Sequence, residues 1–312
     1  MILSEIIASF VDHRQAIGMR FRTEARTLKS FCRFVGDRPL PEVTADQVLV
    51  FLSGRGPVTR FWERKHSVLA GFYQFAMARG HTDRWLLPRT VPKPQKAFVP
   101  YIYSREEIGR LLGAIALIDH PRRSVDPDTY RTLLLLLYGA GLRIGEALSL
   151  TLADVDLNEG VLCVRESKFY KTRLAPIGQD LIQILSRHVS RRRGGRSEPE
   201  TLLFLTRQGG PVTRQHAEGA FCRLRVKANV VCVGADRRHQ PRLHDLRHSF
   251  ALHRLLSWYR DGADVQRLLP KLSTYLGHIN ISSTQQYLTL TPDLLREAST
   301  RFEHYAMETP HA

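Results

Sequence analysis

Side chains able to do chemistry fall in four stretches of this 312-residue chain. Arg143 stands in Gly-Leu-Arg-Ile-Gly-Glu, with Glu146 three residues on. Lys168 lies in a stretch of alternating, partly β-branched residues. His244 and Arg247 are three apart in Arg-Leu-His-Asp-Leu-Arg-His. The last stretch runs Tyr275-Leu-Gly-His278-Ile-Asn-Ile-Ser-Ser-Thr-Gln-Gln-Tyr287. A phenol has a free pKa near 10, so Tyr287 could act as a nucleophile only beside cations or a base. Imidazoles can move its proton, and guanidiniums grip oxyanions in a fork without losing charge. Each stretch also has a plain structural reading. An Arg–Glu helix pair is worth only a few tenths of a kcal/mol. A hairpin-tip Lys solubilises, Gly-His after a helix is commonly a turn, and a Tyr on a short helix is commonly a packing residue. The stretches gain weight together, because all four suit one chemistry.

The elements that must position them can be read from periodicity and caps. Apolar residues at helical spacing predict helices over 2–10 and 20–35, ended by Pro39 and Pro41. Thr44-Ala-Asp-Gln47 predicts a capping box opening a helix through Val48, Phe51 and Leu52. A longer helix is predicted from about Thr59 to Arg79, with Arg60, Arg64, Lys65 and His66 at its start. Pro88, Pro92, Pro94 and Pro100, with Arg89, Lys93 and Lys96 among them, predict an extended basic linker. Ser104-Arg-Glu-Glu107 opens a second domain. Residues 130–139 predict a buried core helix, and Arg143 opens another. Residues 161–177 predict a hairpin with Lys168 near its turn, and residues 191–200 an exposed basic loop. A helix is predicted around 213–228, and His244 and Arg247 share a helix face with Leu246, Phe250 and Leu252 opposite. Gly277 is a plausible C-cap, Ser282, Ser283 and Thr284 offer N-cap oxygens before Tyr287, and a tail helix follows Pro292.

The fold class so predicted is mainly α with a small β-sheet or hairpin, in two domains: residues 1–90 all helical, 91–103 a basic Pro-rich linker, and 104–312 mixed, with a tail helix at about 293–308. The 46 Lys and Arg against 30 Asp and Glu leave a formal charge of +16, which points to a polyanionic partner, most often nucleic acid. Arg60, Arg64, Lys65, Lys93, Lys96 and Arg173 are the candidate backbone contacts. No run approaches the roughly 18 apolar residues of a membrane span, and residues 1–10, with Glu5 and no basic start, do not read as a signal peptide. Cys32, Cys163, Cys222 and Cys232 are scattered without a CxxC pair. Free thiols in a reducing cytoplasm are therefore expected, and no metal site.

The set Arg143, Lys168, His244-x-x-Arg247, His278 and Tyr287 resembles the tyrosine recombinases, or phage-integrase family, which includes Xer-type and Cre-type enzymes. Gly-Leu-Arg143-Ile-Gly-Glu146 is similar to that family's first box, His244-Asp-Leu-Arg247-His-Ser-Phe-Ala to its second, and Leu-Gly-His278 with Tyr287 nine residues on to its third. Lys168, five residues before Arg173-Leu-Ala-Pro, matches its hairpin lysine. The resemblance covers about residues 105–290. It implies a helical core-binding (SAM-like) domain and a catalytic domain that clamp duplex DNA. Tyr287 would be the nucleophile forming a 3′-phosphotyrosyl bond. Arg143 and Arg247 would bind the phosphoryl oxygens, His244 would take or share the phenol proton, His278 would bond the phosphoryl group, Lys168 would protonate the leaving 5′-oxygen, and Glu146 would be the supporting acid. It also implies no cofactor, a specific double-stranded recombination site, a homo-tetramer on paired sites, room for accessory proteins, and a nucleoid-associated cytoplasmic setting. Two other readings share parts of the pattern: a type IB topoisomerase, and a catalytically silent DNA-binding regulator.

Overall fold

The structure is a computed structural model that describes residues 1–54, 58, 60–92, 99–120, 125–165, 172–192, 198–234, 239–278 and 280–285. The chain divides into two compact units, Met1–Phe98 and Val99–Ala312. Its described part is mostly helical, with one small sheet. No described helix is long and apolar enough to cross a membrane.

The first unit holds α1 (Leu3–Ala16), α2 (Arg22–Val35), α3 (Ala45–Ser53) and α4 (Arg60–Ala78). The apolar pattern that begins over 2–10 continues as helix to Ala16, where the Ile17 N–H caps the end on the Gln15 and His13 carbonyls. α3 begins as its sequence predicts: the Gln47 N–H bonds Thr44 Oγ1 at 3.3 Å, and the Thr44 N–H bonds Gln47 Oε1 at 3.0 Å. Leu3, Phe10, Leu28, Phe31, Leu69 and Phe72 fill the core. Phe10 meets the rings of Phe21 and Phe72 edge-on at 5.3 and 5.9 Å, a favoured aromatic geometry.

The second unit begins with α5 (Arg105–Gly113), capped by the reciprocal Ser104–Glu107 bonds. α6 (Pro127–Gly139) starts at Pro127 with Asp126 accepting the Thr129 N–H, and it buries Leu133, Leu134, Leu136 and Leu137. α7 (Ile144–Ser149) follows directly. Then come β1 (Val155–Asp156), β2 (Val161–Val164) and β3 (Arg173–Pro176), an antiparallel sheet in that order, with Val164 opposite Arg173 and Leu162 opposite Ala175. The predicted hairpin is thus present as β2 and β3, while the Lys168 tip lies outside the described residues.

The next element, α8 (Gln179–Arg192), is absent from the sequence-based expectations, which put only a basic loop at its end. Its apolar residues Leu181, Leu185 and Val189 recur every four positions and join the core on which α6 packs. α9 (Arg214–Lys227), α10 (Asp245–Arg260), α11 (Val265–Leu276) and the single turn α12 (Ser282–Gln285) complete the unit. Tyr103, wholly buried, ties the unit's entry segment to α10. Its N–H bonds Ser249 Oγ at 2.8 Å, and its hydroxyl bonds the Arg242 carbonyl at 2.8 Å.

Gly141 sits between α6 and α7 with φ +58°, and a Cβ there would lie 2.4 Å from Phe250 Cδ1 on α10. Gly141→Ala should therefore destabilise this unit by about 2–4 kcal/mol, from the left-handed backbone and the overpacking together. Gly109→Ala, on the exposed side of α5 with open space around it, should stabilise by about 0.5–1 kcal/mol. Chemical denaturation of both variants, read on this unit's transition, checks the sign of each.

Candidate active site

The C-terminus of α11 is the floor of the site. A helix ends with carbonyls that have no intrahelical partner, and they carry the negative end of the helix dipole. Gly277 takes the left-handed conformation, φ +66° and ψ 43°. The Gly277 N–H then bonds Thr274 O at 2.9 Å and the His278 N–H bonds Ser273 O at 3.0 Å, the paired bonds of a Schellman ending. The next three carbonyls each accept from a different arginine. Arg173 Nε donates to Tyr275 O at 2.8 Å, Arg247 Nη2 to Leu276 O at 2.6 Å, and Arg143 Nη2 to Gly277 O at 3.0 Å. Gly277 has no room for a side chain, since a Cβ would stand 2.9 Å from Arg173 Nη1.

Above that floor the same three guanidiniums meet one carboxylate. Glu146 accepts from Arg143 Nη1 at 2.6 Å and from Arg173 Nη1 and Nη2 at 3.1 and 2.8 Å, and Arg247 Nη1 stands 3.8 Å away. It also accepts the Arg143 backbone N–H at 3.0 Å, so it caps its own helix, α7. Burial would raise the Glu146 pKa, but the Arg173 fork and then Arg143 overcome this and hold it at about 2. Three cations on one anion leave a local charge of +2. The Arg247 side chain is 3% exposed and that of Arg173 10%, whereas Arg143 is 31% exposed and faces solvent. Arg247 is further fixed by donating Nη1 to Gly141 O at 2.8 Å.

The histidines stand around this charge. His244 occupies the N-cap position of α10. Asp245 beside it is 1% exposed and accepts from the Arg242 backbone N–H and guanidinium, which fixes the turn into the helix. Burial, then Arg247, Arg242 and Arg143, lower the His244 pKa against the opposing pull of Asp245. His278 is lowered to about 4 by burial and then by Arg247, Arg143 and Arg173, with Glu146 opposing. His248 meets the His244 ring edge-on at 5.0 Å, and burial with His244, Arg247, Arg242 and His278 takes it to about 3. All three imidazoles are therefore neutral at pH 7. Each can accept a proton or donate one N–H. An anion entering the site would offset the arginines and raise all three values.

The structure thus brings Arg143, Glu146, His244, Arg247 and His278 into one site. Lys168 and Tyr287, together with Lys93 and Lys96, lie outside the described residues. Arg60 and Arg64 are exposed on the first turns of α4. Lys65 is turned inward: its Nζ bonds Phe51 O at 2.5 Å and lies over the Phe51 and Phe61 rings at 4.5 and 5.0 Å, and burial lowers its pKa. Arg173 departs most from expectation. It was a candidate contact for the nucleic-acid backbone, and it instead points into the protein as the third arm of the Glu146 cluster. Alternation gives the reason. Arg173 and buried Ala175 share one face of β3, while Leu174, on the other, is 65% exposed. A buried Ala two residues after an Arg was the available signal. Thr284, expected to offer an N-cap oxygen, instead lies within α12, and its wholly buried side chain bonds His278 Nδ1 at 2.7 Å. Among the described residues no group of three or more His, Cys, Asp or Glu could hold a metal ion.

Comparison with known proteins places this site in context. The phage integrase family model matches residues 109–293. The y4rB chain of Sinorhizobium fredii, by name an integrase/recombinase, is 33% identical over 304 residues, covering 96% of each chain. Tyrosine recombinase XerC of Oceanobacillus iheyensis is 30% identical over 286 residues, covering 89% of this chain and 87% of its own. Two solved structures share the fold at lower identity. The Tn1549 transposon integrase in complex with a circular intermediate DNA has a TM-score of 0.68 at 20% identity, over 97% of this chain and 99% of its own. A lambda integrase tetramer bound to a Holliday junction has a TM-score of 0.64 at 18% identity, over 90% of this chain and 78% of its own. With the family model spanning more than half of the chain and relatives at 30% identity and above over most of its length, the protein belongs to the phage integrase family of site-specific tyrosine recombinases.

Proposed function

We propose that this recombinase cuts and rejoins duplex DNA through Tyr287. The phenolic oxygen attacks the scissile phosphorus, the bond from phosphorus to the 5′-oxygen breaks, and a 3′-phosphotyrosyl link forms in its place. The phenol proton passes to His244, and the leaving 5′-oxygen takes a proton from Lys168. Religation runs the same steps in reverse from a partner strand's 5′-hydroxyl, so the bond energy is retained and no nucleotide is needed. Arg143 and Arg247 bind the non-bridging oxygens, His278 bonds the same group, and Glu146 holds the arginines in place.

The observation that carries this reading is the cluster of three guanidiniums around Glu146. A residual +2 charge, fixed before substrate arrives, suits a phosphoryl transition state that concentrates negative charge on its oxygens. Neutral His244 is in the protonation state a general base requires at pH 7.

At the scale of the chain, the proposal is a DNA clamp. Residues 1–90 would form the helical core-binding domain, 91–103 a linker along the phosphate backbone, and 104–312 the catalytic domain. Four copies would act on two paired, specific sites, with or without accessory proteins, in the nucleoid-associated cytoplasm. The tail, residues 293–308, is a candidate contact between protomers. The lambda integrase tetramer on a Holliday junction supports this assembly by likeness of fold.

Three outcomes follow. A nicked suicide duplex from the DNA flanking the gene should give a covalent, protease-sensitive adduct on a denaturing gel. Tyr287→Phe should abolish the adduct, and Arg143→Ala and Arg247→Ala should each slow its formation by about 10²–10³-fold. An adduct that survives Tyr287→Phe would assign the nucleophile elsewhere, and relaxation of supercoils without two-site exchange would favour topoisomerase chemistry.

DNA affinity should fall steeply with salt. Arg60→Gln and Arg64→Gln should each reduce the slope of log K against log salt by about 1 if each side chain neutralises one phosphate, while Lys65→Gln should change it less.

Glu146 has a folded-state pKa of about 2, below its ordinary value. Its contribution to stability is therefore complete above the ordinary carboxylate range and is lost as pH falls through about 2. Glu146→Gln should destabilise the catalytic unit by roughly 3 kcal/mol at pH 7, and the gap from wild type should shrink as the pH is lowered towards 2. Denaturant midpoints at several pH values read that closure directly.

A further inference from the structure

We propose that Thr284 is a positioning residue for the strand-cleavage reaction: its hydroxyl donates to His278 Nδ1, which fixes the ring and places the imidazole proton on Nε2, the nitrogen that would donate to the scissile phosphate. The inference rests on the proposed role of His278 at the phosphoryl group.

The geometry is specific. Thr284 is wholly buried, and Oγ1 lies 2.7 Å from His278 Nδ1. A Thr in the first turn of a helix ordinarily turns its hydroxyl onto nearby backbone. Here the backbone N–H of Thr284 is already matched to Ile281 O at 2.8 Å, and the side chain reaches back six residues to the ring. His278 is thereby held twice, by its own N–H in the α11 ending and by the ring contact.

The chemistry then selects the direction of the bond. A neutral imidazole carries one proton, and burial beside Arg247, Arg143 and Arg173 keeps His278 neutral. If Nδ1 held the proton and donated it to Thr284, Nε2 would present a lone pair, which repels a phosphate oxygen. If Thr284 donates to Nδ1, Nε2 presents an N–H, which binds that oxygen. A hydroxyl can rotate to serve either tautomer, so the bound anion selects the second and Thr284 stabilises it. This parallels the way an outer partner fixes the tautomer of a metal-bound histidine.

The test is a set of variants assayed for adduct formation on the nicked duplex and, separately, for DNA affinity. Thr284→Val keeps the shape and removes the hydroxyl. It should slow cleavage about tenfold or more with affinity unchanged, and Thr284→Ser should restore most of the rate. Thr284→Ala serves as the second hydroxyl-free variant if the valine disturbs folding. In a His278→Ala background, Thr284→Val should cause no further loss, because its effect runs through that ring. Nitrogen-15 NMR of labelled histidine in the DNA complex should show His278 with its proton on Nε2 in wild type and a mixed tautomer in Thr284→Val. Cleavage at the wild-type rate by both Thr284→Val and Thr284→Ala, or the same fold loss with and without His278, overturns the inference. Cleavage at the wild-type rate by His278→Ala overturns instead the reading of His278 on which it rests.

Discussion

A buried carboxylate must be matched by cations or it will not stay ionised, and Glu146 is matched by three. The three arginines come from separate parts of the chain, at the start of α7, on β3 and in the first turn of α10. Each also takes one of three successive carbonyls at the end of α11. Four elements thus converge on one ion cluster, and none can shift without unpairing a buried charge or exposing a helix end to a cation-free interior. Removing one partner of such a set commonly destabilises by about 3–5 kcal/mol. The cluster is a structural joint and an anion site at the same time. Its geometry is set before any phosphate arrives, which is the condition under which fixed charge favours a transition state most.

The same cluster sets the state of the histidines. Burial and nearby guanidiniums both disfavour imidazolium, so His244, His248 and His278 are all pushed below their ordinary value. The local field therefore acts in two directions: it attracts an anion, and it keeps the imidazoles neutral. Arrival of a phosphate cancels part of that field, and the imidazoles become better bases just when a phenol proton needs an acceptor. Under the proposed mechanism, the field of the arginines couples substrate charge to proton uptake.

Local chemistry was the legible part of the sequence. The capping box at Thr44, the helix start at Ser104, the leucine run of α6 and the glycine ending of α11 are each decided by a few neighbouring residues, and each stands where its residues predict. Arg143, His244, Arg247 and His278 stand in boxes far apart in sequence, and the fold brings them together. The parts that escaped notice depend on long-range placement. α8 is amphipathic, but its polar residues and basic end masked the four-residue apolar repeat. Thr284 looked like a cap, and its actual partner six residues back is set by the fold of the α11–α12 turn. Lys65 and Arg173 illustrate the limit of reading charge as surface, since both are cations turned inward to find carbonyls, rings or a carboxylate.

Arg173 also shows why the inward turn matters beyond its own bonds. Side chains on a strand alternate, so a slip of one residue in β3 would turn Arg173 outward and Leu174 inward. The unslipped register pairs Val164 with Arg173 and Leu162 with Ala175, all on the buried face. It leaves Leu174 exposed, which hydrophobicity alone would not favour. The fork of Arg173 on both Glu146 oxygens supplies the opposing preference, because only that register lets two N–H groups meet two carboxylate oxygens while Nε meets Tyr275 O. A lysine could not substitute, since one ammonium cannot present that planar set of donors. The ion cluster therefore fixes the register of the strand whose first residue lies five positions after Lys168. Any role for that lysine at the phosphate depends on a hairpin whose alignment is set by an arginine turned into the protein.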